Sequence, residues 1–188
     1  MNREVPDTAE VRATIERAMS QAHRASEVIR ALARKTDPLN VSLDLPEVFE
    51  ESIILVQHEI QRQRVILSVE MDDEVPTVRG DCVQLQQVII NLIMNAVQAM
   101  AAAYHDRREL HVHLRHSDEG GVVHIRDSGP GIAEQNMTSL LDPLFSTKPN
   151  GMGLSICRSI IESNGGWIWA SSDQGQGAVL SFALPKER

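Results

Sequence analysis

One segment limits the possible folds more than any other: residues 82–104, CVQLQQVIINLIMNAVQAMAAAY. Its apolar residues recur at helical spacing, and they cover so much of the circumference that the predicted helix must be largely buried. A buried helix needs a second layer of secondary structure on which to pack. The segment therefore predicts the central helix of a layered domain.

The segments around this helix alternate between helical and strand patterns. A helix is predicted at 45–64, with Pro46 near its start, and another from Gly153 to Ser163, closed by Asn164-Gly165-Gly166. The sequence predicts an α+β domain at 37–188 whose helices cover one face of a mostly antiparallel sheet. The predicted strands are 65–71, 109–117, 121–128, 167–172 and 178–184, separated by turn-rich segments at 72–81, 118–121 and 129–150.

Residues 1–36 show a different periodicity, with apolar residues at alternating spacings of 4 and 3. This heptad seam predicts an amphipathic helix that needs a partner helix. A dimeric coiled coil or bundle is favoured over packing on the chain's own domain, and Asp37-Pro38 ends the helix. The seam consists of Val11, Ile15, Ala18, Ala22, Ala25, Ile29 and Leu32.

Composition excludes several classes of function. The 188-residue chain carries a formal charge of −8 and only 3% aromatic residues, which argues against nucleic-acid binding. Cys82 and Cys157 lie within apolar helical patterns and form no C-x-x-C pair, so they are expected to be buried thiols in a reducing compartment. The sequence shows no transmembrane-length run and no signal peptide, and a cytoplasmic location without direct membrane contact is expected.

Two asparagines, Asn91 and Asn95, lie four residues apart in the predicted central helix and share one face with apolar neighbours. Asparagine is a poor residue for a helix interior, and a buried amide must find hydrogen-bond partners. Two asparagines on one face of a helix suggest a ligand. A neutral amide oxygen suits Mg²⁺ that is already bound to a negatively charged polyphosphate. The alternative is two core amides bonded to local backbone.

Two glycine-containing turns add further candidates. In DSGPGI, Asp127 ends a strand, and Gly129 and Gly131 let the backbone turn sharply and a flat ligand approach. The carboxylate there could accept from an exocyclic amine such as that of adenine, although the same turn also occurs in plain hairpins.

The second turn comes immediately before the helix at 153–163. Gly151 and Gly153 precede a helix start whose N–H groups and dipole favour an anion, with Lys148 in reach. A glycine-rich helix start is, taken alone, more often only a loop.

Together and in this order, the segments resemble the nucleotide-binding domain of bacterial sensor histidine kinases, in the superfamily of the Hsp90 and MutL ATPases. GDCVQLQQVIINLIMNAVQAM is similar to the N box of that family, DSGPGI to its G1 box, DPLFSTK to its F box and GMGLSI to its G2 box. The resemblance covers about residues 40–185. It implies a Bergerat-type two-layer α/β sandwich, with ATP and Mg²⁺ as cofactors.

The resemblance also implies roles for individual residues. Asn95 would be the Mg²⁺ ligand, Asn91 a phosphate-side contact, and Asp127 the partner of the adenine amine. Gly129, Gly131 and Ile132 would shape the pocket, while Lys148, Gly151, Gly153 and Leu154 would belong to the lid and phosphate end. The full predicted nucleotide-binding set is Asn91, Asn95, Gln98, Asp127, Gly129, Gly131, Ile132, Lys148, Gly151, Gly153 and Leu154.

The implied function is that of a protein-histidine kinase. It would transfer the γ-phosphate of ATP to a histidine and then to an aspartate of a response regulator, and it would form a homodimer through the helix at 1–36. The acceptor box is absent, because His23 is followed by Arg24, so we expect the acceptor histidine to lie outside this sequence.

Several features depart from the family pattern. The lid lacks a third glycine, and Ala178 stands where relatives often carry Thr or Ser. Gln87 and Gln98 cannot replace the water-activating Glu of related ATPases, which disfavours hydrolysis but not transfer to histidine. The alternatives are a degenerate, non-catalytic binding module or phosphotransfer scaffold, and an anti-sigma-type serine kinase, against which the N-terminal helix argues.

Overall fold

The structure is a computed structural model that describes residues 40–103, 107–137, 140–141, 153–172 and 175–187. The predicted helix at 1–36 and the domain boundary after it lie outside the described residues, and both remain predictions. So do the predicted lid residues Lys148 and Gly151.

A five-stranded sheet forms one layer of the domain, in the order β2-β4-β5-β7-β6. All neighbouring strands are antiparallel except β2 and β4, which are parallel. The prediction of a mostly antiparallel sheet is therefore confirmed. The strands are β1 (Val41–Leu43), β2 (Val65–Met71), β3 (Val78–Gly80), β4 (Arg108–Ser117), β5 (Gly120–Asp127), β6 (Trp167–Ser172) and β7 (Ala178–Pro185).

The helices pack on one face of this sheet. Burial alternates along β4, where Leu110, Val112 and Leu114 are buried in the helix-facing core while His111 is exposed. The fold class predicted from the sequence, a two-layer α/β sandwich, is confirmed. The helices are α1 (Leu45–Arg62), α2 (Cys82–Ala102), α3 (Glu134–Met137) and α4 (Gly153–Ser163).

The central helix α2 lies in the core as its sequence predicts. The Asp81 carboxylate accepts the N–H of Gln84 at 3.1 Å and caps the first turn. Leu85 and Leu92 are completely buried. By length and composition α2 could cross a membrane, but packing against the sheet and α1 accounts for its apolar character.

Three short elements were not predicted from the sequence: β3 and α3 lie in predicted turn-rich segments, and β1 lies in a segment to which no element was assigned. β1 and β3 pair in a small antiparallel sheet, and α3 forms a single turn after β5. Elements of three or four residues are too short to show a hydrophobic period, which explains why the sequence does not predict them. The parallel pairing of β2 and β4 is possible because α2 forms the crossover between them.

Candidate nucleotide site

Asp127 is a buried carboxylate at the end of β5. It is only 6% exposed, and burial raises the pKa of its carboxyl group above the usual value. The main-chain N–H of Gly129 donates to Oδ1 of Asp127 at 2.8 Å, and the main-chain N–H of Ala178 also donates to this carboxylate. These two bonds hold the carboxylate in place and counteract part of the pKa rise.

The loop at residues 128–132, which follows β5 and is called the glycine loop below, lies against the C-terminal half of α2. A Cβ atom built on Gly129 would lie 3.5 Å from the nitrogen of Met100 and 3.6 Å from the carbonyl carbon of Ala99. The loop thus comes close to the helix backbone at the end of the stripe that begins with Asn91 and continues through Asn95. The structure therefore brings the predicted amine partner and the two asparagines to one helix.

Asn91 carries an unsatisfied polar group. Within the described ranges, its Nδ2 is the one fully buried side-chain nitrogen or oxygen that has no hydrogen-bond partner. A buried N–H group without a partner costs about 1–3 kcal/mol, so this group calls for an acceptor. The alternative of a core amide satisfied by local backbone does not account for the NH₂ group of Asn91.

The first residue of α4 lies next to this amide. A Cβ on Gly153 would meet Cγ and Nδ2 of Asn91 at 4.0 Å, an ordinary contact distance. The start of α4, which is the positive end of the helix dipole, therefore adjoins the unsatisfied amide. Both features favour an anionic acceptor at the same place.

The other predicted site residues vary in their placement. Asn95 is half-buried one turn after Asn91, and Leu154 is half-buried against the core. Gln98 is exposed on α2. Gly131 adopts a φ of 78°, and the N–H of Ile132 donates to Oγ of Ser172 at 2.8 Å.

The family model described as "Histidine kinase-, DNA gyrase B-, and HSP90-like ATPase" matches residues 80–188. The chain belongs to this family. The matched region contains every residue of the candidate site and four of the five strands of the large sheet, and β2 lies before it.

Individual relatives place it among the sensor histidine kinases. The sensor protein FixL of Bradyrhizobium diazoefficiens is 38% identical over 187 residues, which cover 96% of this chain and 36% of FixL. The nucleotide-free catalytic domain of histidine kinase ThkA superimposes with a TM-score of 0.70 at 31% identity, covering 78% of this chain and 95% of that domain. ThkA in complex with the response regulator TrrA gives 0.74 at 25% identity, covering 98% of this chain and 54% of ThkA.

The described domain is thus the ATPase-type catalytic domain of a sensor histidine kinase, and the resemblance seen in the sequence is confirmed. The chain spans about a third or less of the length of the curated relatives it matches.

The structure adds site residues that the sequence did not predict. The side chain of Ala178 differs from the Thr or Ser that histidine kinases often carry at this position. Its main-chain N–H nevertheless donates a hydrogen bond to Asp127. Ser172 and Gly177 contact the glycine loop from the β6–β7 turn. The sequence predicts strands at 167–172 and 178–184 on either side of this turn, but nothing in it indicates which residues the turn contacts.

Proposed function

We propose that this histidine-kinase domain binds ATP with Mg²⁺ and presents the γ-phosphate to an acceptor histidine. The observation that carries the proposal is the unsatisfied, buried Nδ2 of Asn91 beside the start of α4. A phosphate oxygen would accept from this amide and would lie at the positive end of the α4 dipole. Asn91 and Ala99 lie eight residues apart on α2, about 12 Å along the axis, a span that suits an extended nucleotide.

The proposed roles follow the chemistry of each group. The Asp127 carboxylate accepts from the adenine amine, and the loop containing Gly129, Gly131 and Ile132 holds the ring. Asn91 donates to the phosphates, and Asn95 supplies an amide oxygen to the metal. Lys148, Gly151, Gly153 and Leu154 form the phosphate end and lid, and Gln98 lies at the margin. Bound Mg²⁺ neutralises phosphate charge during transfer.

Phosphate transfer rather than hydrolysis is the reaction that this set of residues favours. Gln87 and Gln98 provide no carboxylate on α2 to activate water, whereas an imidazole supplies its own nucleophile. Catalysis would rest on positioning and charge neutralisation. The acceptor histidine would come from a separate helical bundle.

The proposed partners extend beyond the nucleotide. ThkA was solved in complex with the response regulator protein TrrA, which supports a receiver-domain aspartate as the final phosphate acceptor here. We also propose a homodimer formed through residues 1–36, on the basis of their heptad seam, and a cytoplasmic location, where ATP is available.

The main alternative is a degenerate binding module that no longer transfers phosphate. Its two supports in the sequence were the short lid and Ala178. Most of the lid, including Lys148 and Gly151, lies outside the described residues, and the N–H of Ala178 contributes to the Asp127 site whatever its side chain is. The geometry therefore favours a domain that retains nucleotide binding.

Isothermal titration of ADP and ATP, with and without Mg²⁺, tests binding directly. We expect Asp127→Ala to lower the affinity for both nucleotides whether or not Mg²⁺ is present. Asn95→Ala should remove mainly the increase in affinity that Mg²⁺ provides. Gln84→Ala, on the first turn of α2, is the matched control and should bind normally. Absence of binding by the unmodified chain at millimolar nucleotide would reject the proposal.

A second experiment separates kinase from scaffold. The chain is mixed with a separately produced acceptor-helix bundle of a related kinase, and radiolabel from γ-labelled ATP is followed onto histidine and then onto a receiver domain. Acid-labile label on the bundle supports kinase activity. Nucleotide binding without any label supports the scaffold.

A further inference from the structure

The turn between β6 and β7 holds the glycine loop that follows β5. The N–H of Gly175 donates to the carbonyl of Pro130 at 3.0 Å. Gly177, with a φ of 88°, lies so close to the Asp127 carbonyl that a Cβ atom on it would be 1.9 Å from that oxygen. The loop is therefore fixed near its start and at its middle by the neighbouring hairpin.

A single side chain fixes the end of the same loop. Oγ of Ser172, the last residue of β6, accepts the N–H of Ile132 at 2.8 Å and donates to the carbonyl of Gly177 at 2.8 Å. One hydroxyl thus joins the loop to the hairpin residue that packs on Asp127. The hydroxyl therefore acts both as an acceptor and as a donor in these contacts.

We infer that Ser172 is a positioning residue for nucleotide binding: its hydroxyl holds the loop at residues 128–132 in the binding conformation. This inference rests on the proposed function, because it assigns Ser172 to the adenine side of that same site. Ser172 itself does not contact the nucleotide in this proposal. It acts through Ile132 and, by way of Gly177, on the Asp127 backbone.

The physical reason is the cost of ordering the loop. Pro130 has no N–H to donate, so the loop depends on its neighbours for main-chain hydrogen bonds. Without the hydroxyl, the N–H of Ile132 loses its acceptor and other loop conformations become populated. Apparent affinity then falls in proportion to the fraction of molecules in the binding conformation.

Three substitutions at Ser172 test this inference. Thr and Val are nearly isosteric and both suit a strand, so Ser172→Thr and Ser172→Val differ chiefly in the hydroxyl. We expect Ser172→Val and Ser172→Ala to raise the Kd for MgADP roughly three- to tenfold, while Ser172→Thr stays near the unmodified value. Ser171→Ala changes the exposed neighbour on the opposite sheet face and should leave Kd unchanged.

Amide hydrogen exchange of Ile132 in the nucleotide-free chain provides a readout that does not depend on binding. We expect faster exchange in the Val variant than in the Thr variant, at equal global stability. Equal Kd and equal exchange for Thr and Val would overturn the role of Ser172. If the unmodified chain binds no MgADP, the proposed function fails, whereas the exchange comparison still decides whether the hydroxyl fixes the loop.

Discussion

Gly177 packs directly on the carbonyl oxygen of Asp127, fifty residues earlier in the chain, so closely that a Cβ atom would lie 1.9 Å from that oxygen. The same glycine adopts a φ of 88°, which is rare for any other residue. The contact exists because β5 and β7 are paired, with Arg126 opposite Val179. The sheet thus joins the end of β5 to the turn before β7.

Gly177→Ala is expected to be strongly destabilising. The added methyl group would overlap a main-chain atom, which cannot move without shifting β5, and the positive φ adds strain. We expect a loss of about 3 kcal/mol or more in the free energy of unfolding, measured by urea denaturation. Nucleotide binding should fall as well, because the displaced atom belongs to Asp127.

Gly175→Ala is the matched control for this substitution. Gly175 has a similar φ of 83°, but a Cβ atom there meets nothing within 4 Å. Only the backbone strain remains, so we expect a loss of about 1 kcal/mol. Equal losses at the two positions would show that the contact with Asp127 is not the cause.

Nucleotide binding should depend on the ionisation of Asp127. Its pKa is raised above 3.8, chiefly by burial, and the hydrogen bonds from Gly129 and Ala178 oppose that rise only in part. The ionised carboxylate is a stronger acceptor for an adenine amine than the protonated carboxyl group. Affinity for ADP should therefore fall as the pH decreases, and the fall should begin at a higher pH than it would for an ordinary aspartate.

Asp127→Asn isolates this dependence. The amide NH₂ must face either the main-chain donors or the adenine amine, so we expect roughly 10- to 100-fold weaker ADP binding at neutral pH. Protonation of the ligand phosphates affects both proteins alike, so the difference between their pH profiles reports Asp127. Parallel profiles would contradict the assignment.

Asn91→Ala should separate binding from stability. Its NH₂ group is buried without a partner, so removing the amide removes a desolvation cost as well as side-chain contacts. We expect a change of less than about 1 kcal/mol in unfolding free energy but roughly tenfold weaker binding of MgADP. Gln84→Ala, two turns earlier on α2, serves as the control in both measurements. Strong destabilisation with unchanged affinity would identify Asn91 as a core amide.

Much of this site could be predicted from the sequence because its main parts are local. Asp127 ends a strand whose alternation is clear, and Asn91 and Asn95 share a stripe fixed by helical geometry. The six- to ten-residue strands of the large sheet and the long helices show a period, and their predicted bounds agree with the structure to within two residues.

The remainder depends on contacts between distant segments. The two glycines of DQGQG, residues 173–177, are residues that readily adopt positive φ. The sequence does not show that one of them, Gly177, packs on Asp127. That contact follows from the register of β5 and β7. Likewise, the comparison of Ala178 with Thr or Ser concerns a side chain, whereas the hydrogen bond to Asp127 comes from the backbone. Ser172 gives no signal in the sequence, because serine at a strand end is common.

His124 should make the stability of the domain depend on pH. It lies on the sheet face opposite the helices, where its Nδ1 is 2.8 Å from Oγ of Ser181 and its ring packs edge-on against Trp169. Burial lowers its pKa below 6.5, with further contributions from Arg115 and His113. A lowered histidine pKa means that the unfolded chain binds the proton more readily than the folded one.

The sign of the effect follows from this difference. The contribution of His124 to stability is fully present above pH 6.5 and is lost as the pH falls through the range between the two pKa values. Urea midpoints measured from about pH 7.5 to about pH 5 should therefore decrease, and His124→Gln should flatten part of that decrease. His111→Gln, at an exposed position of β4, is the control. An unchanged pH profile in His124→Gln, with a lower midpoint throughout, would show that the imidazole acts only through packing.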